Sequence, residues 1–524
     1  MAAGSKGGIV TQASIVETVF EQVRCVAPAD LVADLTLDTP LLEVGLDSLA
    51  QMDVVNRIES IFGVRFAEES LYDLETCRDL VVLIEDTLAR ANGPARESVR
   101  ESERVVEQAS PQVVAAFETA NAGDVSSFPE CVRFRERLHD SAAAGLRNPF
   151  FRVSEGMRGA TTTIAGQQVV NFTSFDYLGM ARHPQVADAA KNAIDQFGTS
   201  ASASRLVGGN STLLEDLDDE LARFLGAEAV AVFPSGYGTN ASLFGHLFGQ
   251  DDLILYDELA HNSIVQGSLL SPARRRAFPH NDADYVDQLL TDVRDKYRRV
   301  VVSIEGVYSM DGDYPDLLRF VEVKNRHQAL LYVDEAHSLG VMGATGRGIC
   351  EHFGVTPEVG DLWMGTISKS LGSCGGYMAG RAVLIEYLKY TTPSFVFSTA
   401  TPPSSAAAAL AAIRLIQEEP ERVACLRDRA RLFLKLAQDS GLNTGNSGDT
   451  PIVPVILGDS RLCILVSDAL LHQGINAQPI LYPAVPESAA RVRFFITAEH
   501  SEEQICRTVQ VLAECVAACR AAMK

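Results

Sequence analysis

Lys369 lies in Gly365-Thr366-Ile367-Ser368-Lys369-Ser370-Leu371-Gly372, directly after an apolar run that reads as a buried strand. A lysine flanked by hydroxyls and glycines is poorly explained as a solvated surface charge. It suits an amine that forms a Schiff base, where partial desolvation keeps it nucleophilic and small neighbours admit a cofactor. Tyr332-Val333-Asp334-Glu335-Ala336-His337 ends another apolar run, with Asp334 35 residues before Lys369. Asp334 can pair with a protonated pyridine nitrogen and strengthen an electron sink, and His337 can reach a ring hydroxyl. Without Lys369 the same pair would read as a helix cap and a satisfied histidine.

Two further stretches fit the same chemistry. Phe233-Pro234-Ser235-Gly236-Tyr237-Gly238-Thr239-Asn240 follows a third apolar run. A Gly-rich turn that opens a helix aims backbone N–H groups at an anion such as a phosphate, and Thr366 can add a hydroxyl. By itself the turn is equally a plain strand-to-helix connection. His261 follows a fourth run, Leu253–Tyr256, where an imidazole can stack on a flat ring or simply be a hydrogen-bonded loop residue.

Strands are expected at Ala229–Phe233, Leu253–Tyr256, Val300–Ile304, Leu330–Val333 and Leu362–Thr366, with helix-length spacers between them. Apolar runs of this kind belong to a sheet covered on both faces, so the expected class is α/β with mostly parallel strands. The first 90 residues differ: their pattern is helical, as in a small all-α bundle. The expected division is 1–90 as a helical module, 91–127 as a linker, 128–400 as a large domain and 401–524 as a smaller αβ domain.

The chain has 524 residues and a formal charge of −23, and its 47% hydrophobic content excludes wholesale disorder. An acidic balance argues against nucleic acid or an anionic membrane surface as the main partner. Residues 1–90 hold 16 acidic and 6 basic side chains, so the charge is concentrated there. No apolar run approaches the roughly 18–20 residues that span a bilayer. The start, MAAGSKGGIV, lacks a hydrophobic signal core, so a cytoplasmic protein is expected. The ten cysteines show no metal-ligand spacing and read as buried thiols, with no metal site expected.

In the helical module, Gly45-Leu46-Asp47-Ser48-Leu49 precedes apolar positions at helical spacing: Met52, Val55, Ile58 and Phe62. A serine there is ordinarily an N-cap. The segment over about residues 10–90 resembles an acyl carrier protein, which implies that Ser48 carries a 4'-phosphopantetheine arm. It also implies that a phosphopantetheinyl transferase installs the arm. Asp53, Glu59, Glu68 and Glu69 would form an acidic face read by partner enzymes, or else a solvated helix face. Arg274-Arg275-Arg276 and Arg133/Arg135/Arg137 are candidate basic counterparts, or plain solvated loops.

Over about residues 130–520 the chain resembles the fold-type-I pyridoxal-phosphate enzymes, and specifically the α-oxoamine synthases. The resemblance is carried by Asp176-Tyr177-Leu178-Gly179, Ser204-Arg205, Ser235-Gly236-Tyr237 and His261. It continues through Glu305-Gly306-Val307-Tyr308-Ser309-Met310-Asp311-Gly312-Asp313, Asp334–His337, Thr366–Lys369 and Arg491-Val492-Arg493. It implies that Lys369 holds pyridoxal 5'-phosphate and moves protons, and that Asp334 pairs with the ring nitrogen. His337 and Ser309 would lie by the ring oxygen, His261 on the ring face, and Ser235, Gly236, Tyr237 and Thr366 at the phosphate. Arg493 would grip the amino-acid carboxylate. Phe175 stands where several relatives have Asn, and Ala203 where they have Gly. Ser204 replaces the threonine of glycine-specific members, which leans toward alanine or serine over glycine.

The implied reaction is a decarboxylative Claisen-type condensation of an amino acid with an acyl thioester, giving an α-aminoketone. The carrier domain implies that the thioester sits on Ser48's arm, loaded by an acyltransferase or a polyketide synthase. An acyl-CoA-dependent synthase whose carrier serves another enzyme, and a carrier scaffold with an inactive catalytic domain, remain the alternatives. The resemblance also implies a homodimer.

Overall fold

The computed structural model describes residues 124–523 except 144 and 483, and a subset of 12–91: 12–27, 32, 35–39, 41, 44, 46, 54–55, 57–59, 61–62, 64, 66, 74 and 76–91. The chain forms two compact units, Met1–Asn148 and Pro149–Lys524. In the first, the Gln12–Val26 and Cys77–Ala91 helices turn Ile15, Val19, Val23, Leu80 and Ile84 into one apolar core. Ser48, Asp53, Glu68 and Glu69 lie outside the described residues, as does nearly all of 91–127. Glu59 does not belong to an exposed acidic face: it is buried and accepts a hydrogen bond from Phe66 N at 2.8 Å. A carboxylate on the inner side of a helix can thus satisfy backbone where the chain leaves helical geometry.

The second unit is built on a seven-stranded sheet. Its strands in chain order are β1 (Ala229–Phe233), β2 (Asp252–Asp257), β3 (Arg274–Phe278), β4 (Arg299–Glu305), β5 (Leu330–Asp334), β6 (Leu362–Thr366) and β7 (Gly376–Gly380). Their spatial order is β1-β7-β6-β5-β4-β2-β3, and only β7 runs antiparallel to its neighbours. Successive residues feed opposite faces, as the two-residue period of a strand requires. Val300, Val302 and Ile304 enter one core, while Val301 enters the core that holds Tyr332, Met364 and Met378.

Two strands escape the expected pattern. β3 starts as three arginines on the sheet edge, where charge blunts unpaired backbone. β7 begins and ends on glycine. Arg276 is buried and donates to Tyr285 Oη at 2.7 Å, so the three arginines are not one exposed basic patch. The Pro403–Glu418 helix packs Ala406, Leu410 and Ile413 into the large-sheet core. A separate core gathers Phe172, Phe433, Val492 and Phe494 under the three-stranded sheet Ile452–Ile456, Arg491–Phe495, Gln478–Ile480.

Candidate active site

The sheet places the candidate residues at strand ends. Ser235 and Gly236 follow β1, His261 follows β2, Glu305 and Asp334 close β4 and β5, and Lys369 follows β6. β7 inverts direction twice, so β1 points the same way as the parallel strands and all these ends share one edge. Carboxyl ends of strands in open α/β sheets are where ligands bind.

Asp334 is buried, with Oδ1 accepting from Ala336 N at 2.9 Å and Oδ2 from Asn240 Nδ2 at 2.8 Å. Asn240 Nδ2 also donates to Ser263 Oγ at 2.9 Å, and Asn240 Oδ1 accepts from Tyr332 Oη. The charge of this carboxylate acts on Lys369, whose Nζ lies 5.9 Å from the centre of the Phe175 ring. Burial lowers the proton affinity of Lys369 from 10.5 to about 8, although the charges of Asp334 and Glu305 oppose the shift. The amine is thereby brought toward the range where it can exchange a proton near neutral pH.

Glu305 is also buried and accepts from His261 N at 2.5 Å; burial, then the Asp334 charge, hold its pKa well above the usual carboxylate range. His261 Nδ1 meets Ser263 Oγ at 2.7 Å, and its ring stands edge-on to Tyr237 with centroids 6.4 Å apart. His337 stacks against Phe495 at 6.4 Å and meets Phe175 edge-on at 5.8 Å. Burial and the charges of Lys369 and Arg493 hold its pKa well below the ordinary imidazole value.

Arg493 crosses from the smaller sheet, its guanidinium 4.5 Å from the Phe495 ring centre. Nη1 donates to Ser309 O at 2.6 Å, so Ser309 enters the site through its backbone carbonyl. Arg493 Nε is buried without a hydrogen-bond partner among the described residues. Burial lowers its pKa from 12.5 to about 10, so the arginine stays cationic near neutral pH. A buried, incompletely paired guanidinium is matched by a carboxylate.

Ser235 caps the Gly236–Leu247 helix, accepting from Gly238 N at 3.1 Å. The N–H groups of Gly236 and Tyr237 open the helix and have no intrahelical partner. A Cβ on Gly236 would lie 3.1 Å from Thr366 Oγ1, and one on Gly376 would lie 2.7 Å from Gly236 Cα. Strand end and helix start approach this closely only because both residues are glycine. Thr366 gives its hydroxyl proton to Gly375 O at 2.7 Å. Tyr237 is half exposed and its hydroxyl donates to Asn262 Oδ1 at 3.2 Å. Ser204 opens the Arg205–Gly209 turn, where its carbonyl accepts from Gly209 N at 2.8 Å.

Asn240, Glu305 and the Tyr177–His337 hydrogen bond of 2.7 Å join the site without a role that the sequence assigns them. All three lie inside recognisable motifs, but their partners are distant in sequence. The donor set nevertheless fits pyridoxal phosphate: a buried carboxylate for the ring nitrogen, an open helix N-terminus for the phosphate and a lysine whose pKa burial lowers.

Comparison with known proteins agrees with this fit. Residues 167–512 match the family described as aminotransferase class I and II, and residues 21–84 match the phosphopantetheine attachment site. The 8-amino-7-oxononanoate synthase of Thermoanaerobacter pseudethanolicus is 38% identical over 73% of this chain and 96% of its own. That of Fervidobacterium nodosum is 41% identical over 68% and 90%. Serine palmitoyltransferase of Sphingomonas wittichii shares the fold with a TM-score of 0.72 at 31% identity, covering 76% of this chain and 99% of its own. The chain therefore belongs to the aminotransferase class I and II family, as a pyridoxal-phosphate-dependent α-oxoamine synthase that also carries a phosphopantetheine attachment domain.

Proposed function

We propose that the protein joins the α-carbon of an amino acid to an acyl group presented as a thioester on the phosphopantetheine arm of its own carrier domain. The product is an α-aminoketone, destined for a lipid-like or polyketide-derived metabolite. One observation carries this reading: a phosphopantetheine attachment domain shares a chain with a site where the charges of Asp334, Glu305 and Arg493 all act on a desolvated Lys369.

Arg493 binds and orients the amino-acid carboxylate through the guanidinium edge that Ser309 and Phe495 leave open. Asp334 would hold the ring nitrogen of pyridoxal phosphate, His337 its ring oxygen, His261 its ring, and the Gly236–Leu247 N-terminus with Ser235, Tyr237 and Thr366 its phosphate. When bound, the cofactor supplies the electron sink for bonds broken at Cα. Lys369 Nζ takes the Cα proton and later returns one. Between those transfers Cα bonds to the thioester carbonyl, the arm's thiol leaves, and the carboxylate departs as CO2. Ser204, smaller than the threonine of glycine-specific relatives, favours alanine or serine over glycine.

Residues 1–90 then act as the carrier, 91–127 as its tether, and 128–400 and 401–524 as the catalytic domains. Tethering replaces a dilute encounter by a high effective concentration of thioester. A phosphopantetheinyl transferase modifies Ser48, an acyltransferase or polyketide synthase charges it, and two copies form the working dimer. The test compares wild type and Ser48→Ala, each supplied with acyl-CoA, against Ser48-acylated protein. Turnover only from the acylated arm supports the reading; full activity of Ser48→Ala with acyl-CoA contradicts it.

A further inference from the structure

We infer that Tyr177 is a positioning residue that fixes the tautomer of His337: the phenol donates to Nδ1, which leaves Nε2 as the protonated nitrogen. The two atoms are 2.7 Å apart. Tyr177 is fully buried, and His337 Nδ1 is the phenol's only hydrogen-bond partner among the described residues. If Nδ1 carried the proton instead, it would donate to the phenol oxygen and the phenol's own proton would be stranded in the core. A buried donor without an acceptor is the costlier arrangement, so the phenol donates. An imidazolium would strand the same proton.

The rest of the geometry holds this pair still. The Asp176 carboxylate accepts from Met180 N at 2.8 Å and Ala181 N at 3.1 Å, closing the turn that carries Tyr177. The carbonyl of Tyr177 accepts from Ala498 N at 2.8 Å, tying the turn to the chain beyond Arg493. The imidazole plane is set by Phe495, parallel within 8°, and by the Phe175 edge at 83°. Nε2 has no partner among the described residues and is left for a ligand. A neutral histidine with a fixed Nε2–H is a donor suited to an anionic ring oxygen, and its direction is set before the ligand arrives.

This role rests on the proposed contact of His337 with the cofactor's ring oxygen, whereas the tautomer can be read without any cofactor. The experiment is nitrogen-15 NMR of the cofactor-free full chain with labelled histidine, the His337 signals being identified by their loss in His337→Gln. An unprotonated Nδ1 and a protonated Nε2 are expected; an Nδ1–H tautomer or an imidazolium overturns the inference. In Tyr177→Phe the Nδ1–H form should appear. The visible spectrum of the bound cofactor should change, and kcat should fall about tenfold while the amino-acid KM stays within about twofold. An unaltered tautomer and spectrum in that variant also overturn it. If Tyr177→Phe does not fold, the wild-type tautomer still decides. Should the tautomer hold while no amino acid is condensed, the proposed function fails and the tautomer assignment stands.

Discussion

Asn240 Nδ2 stands 2.8 Å from Asp334 Oδ2, tying the helix after β1 to the end of β5 across 94 residues of sequence. The same amide serves Ser263 and Tyr332, so one side chain orients the carboxylate and ties together three elements around it.

Asn240→Leu should therefore weaken the hold on pyridoxal phosphate. Losing one hydrogen bond to a buried carboxylate costs about 1.5–3 kcal/mol, or about tenfold to a hundredfold in Kd. Absorbance titration of the cofactor-free protein measures it, and an unchanged Kd would remove Asn240 from the site.

Arg493→Lys should raise the amino-acid KM by about tenfold or more, because an ammonium cannot offer the planar edge of a guanidinium. Cofactor affinity should stay near wild type, since Arg493 is placed on the substrate side. Steady-state kinetics beside cofactor titration separates the two effects; a weakened cofactor with unaltered KM contradicts the placement.

The pKa of Lys369 falls from 10.5 to about 8 on folding. The unfolded chain then binds more protons than the native one between these values, so this group makes stability rise with pH across that window. Urea unfolding of cofactor-free protein should show wild type gaining on Lys369→Met from pH 8 to 10.5. A constant difference between them would mean that the amine is not desolvated.

How legible this was depends on whether partners are close in sequence. The alternation in β4 and β5 and the strings around Lys369, Asp334 and Arg493 are local, and the large sheet follows from them. Arginines in β3 and glycines in β7 hide strands whose neighbours supply the pairing. Asn240 with Asp334, and Tyr177 with His337, meet only after folding, and no spacing in the chain announces them. Charge alone places Glu59 and Arg276 at the surface, yet each is buried against a specific partner, Phe66 N or Tyr285 Oη.

His280 bridges Asp257 and Asp313 at 2.8 Å each, and these hydrogen bonds outweigh burial to raise its pKa to about 10. A raised native pKa contributes stability that is complete below about 6.5, the unfolded value, and is lost as pH rises through about 10. His280→Gln should thus be most destabilised relative to wild type near pH 6 and approach it above pH 10. A pH-independent gap in denaturant midpoints would refute the charged bridge.

The central claim is tested most directly by mass spectrometry of protein acylated on the Ser48 arm and incubated with pyridoxal phosphate and a panel of amino acids. The account predicts that alanine or serine discharges the arm, with loss of CO2 and release of the matching α-aminoketone, and that Lys369→Ala abolishes this. An arm that stays acylated with every amino acid, or a discharge that retains the carboxylate, would contradict it.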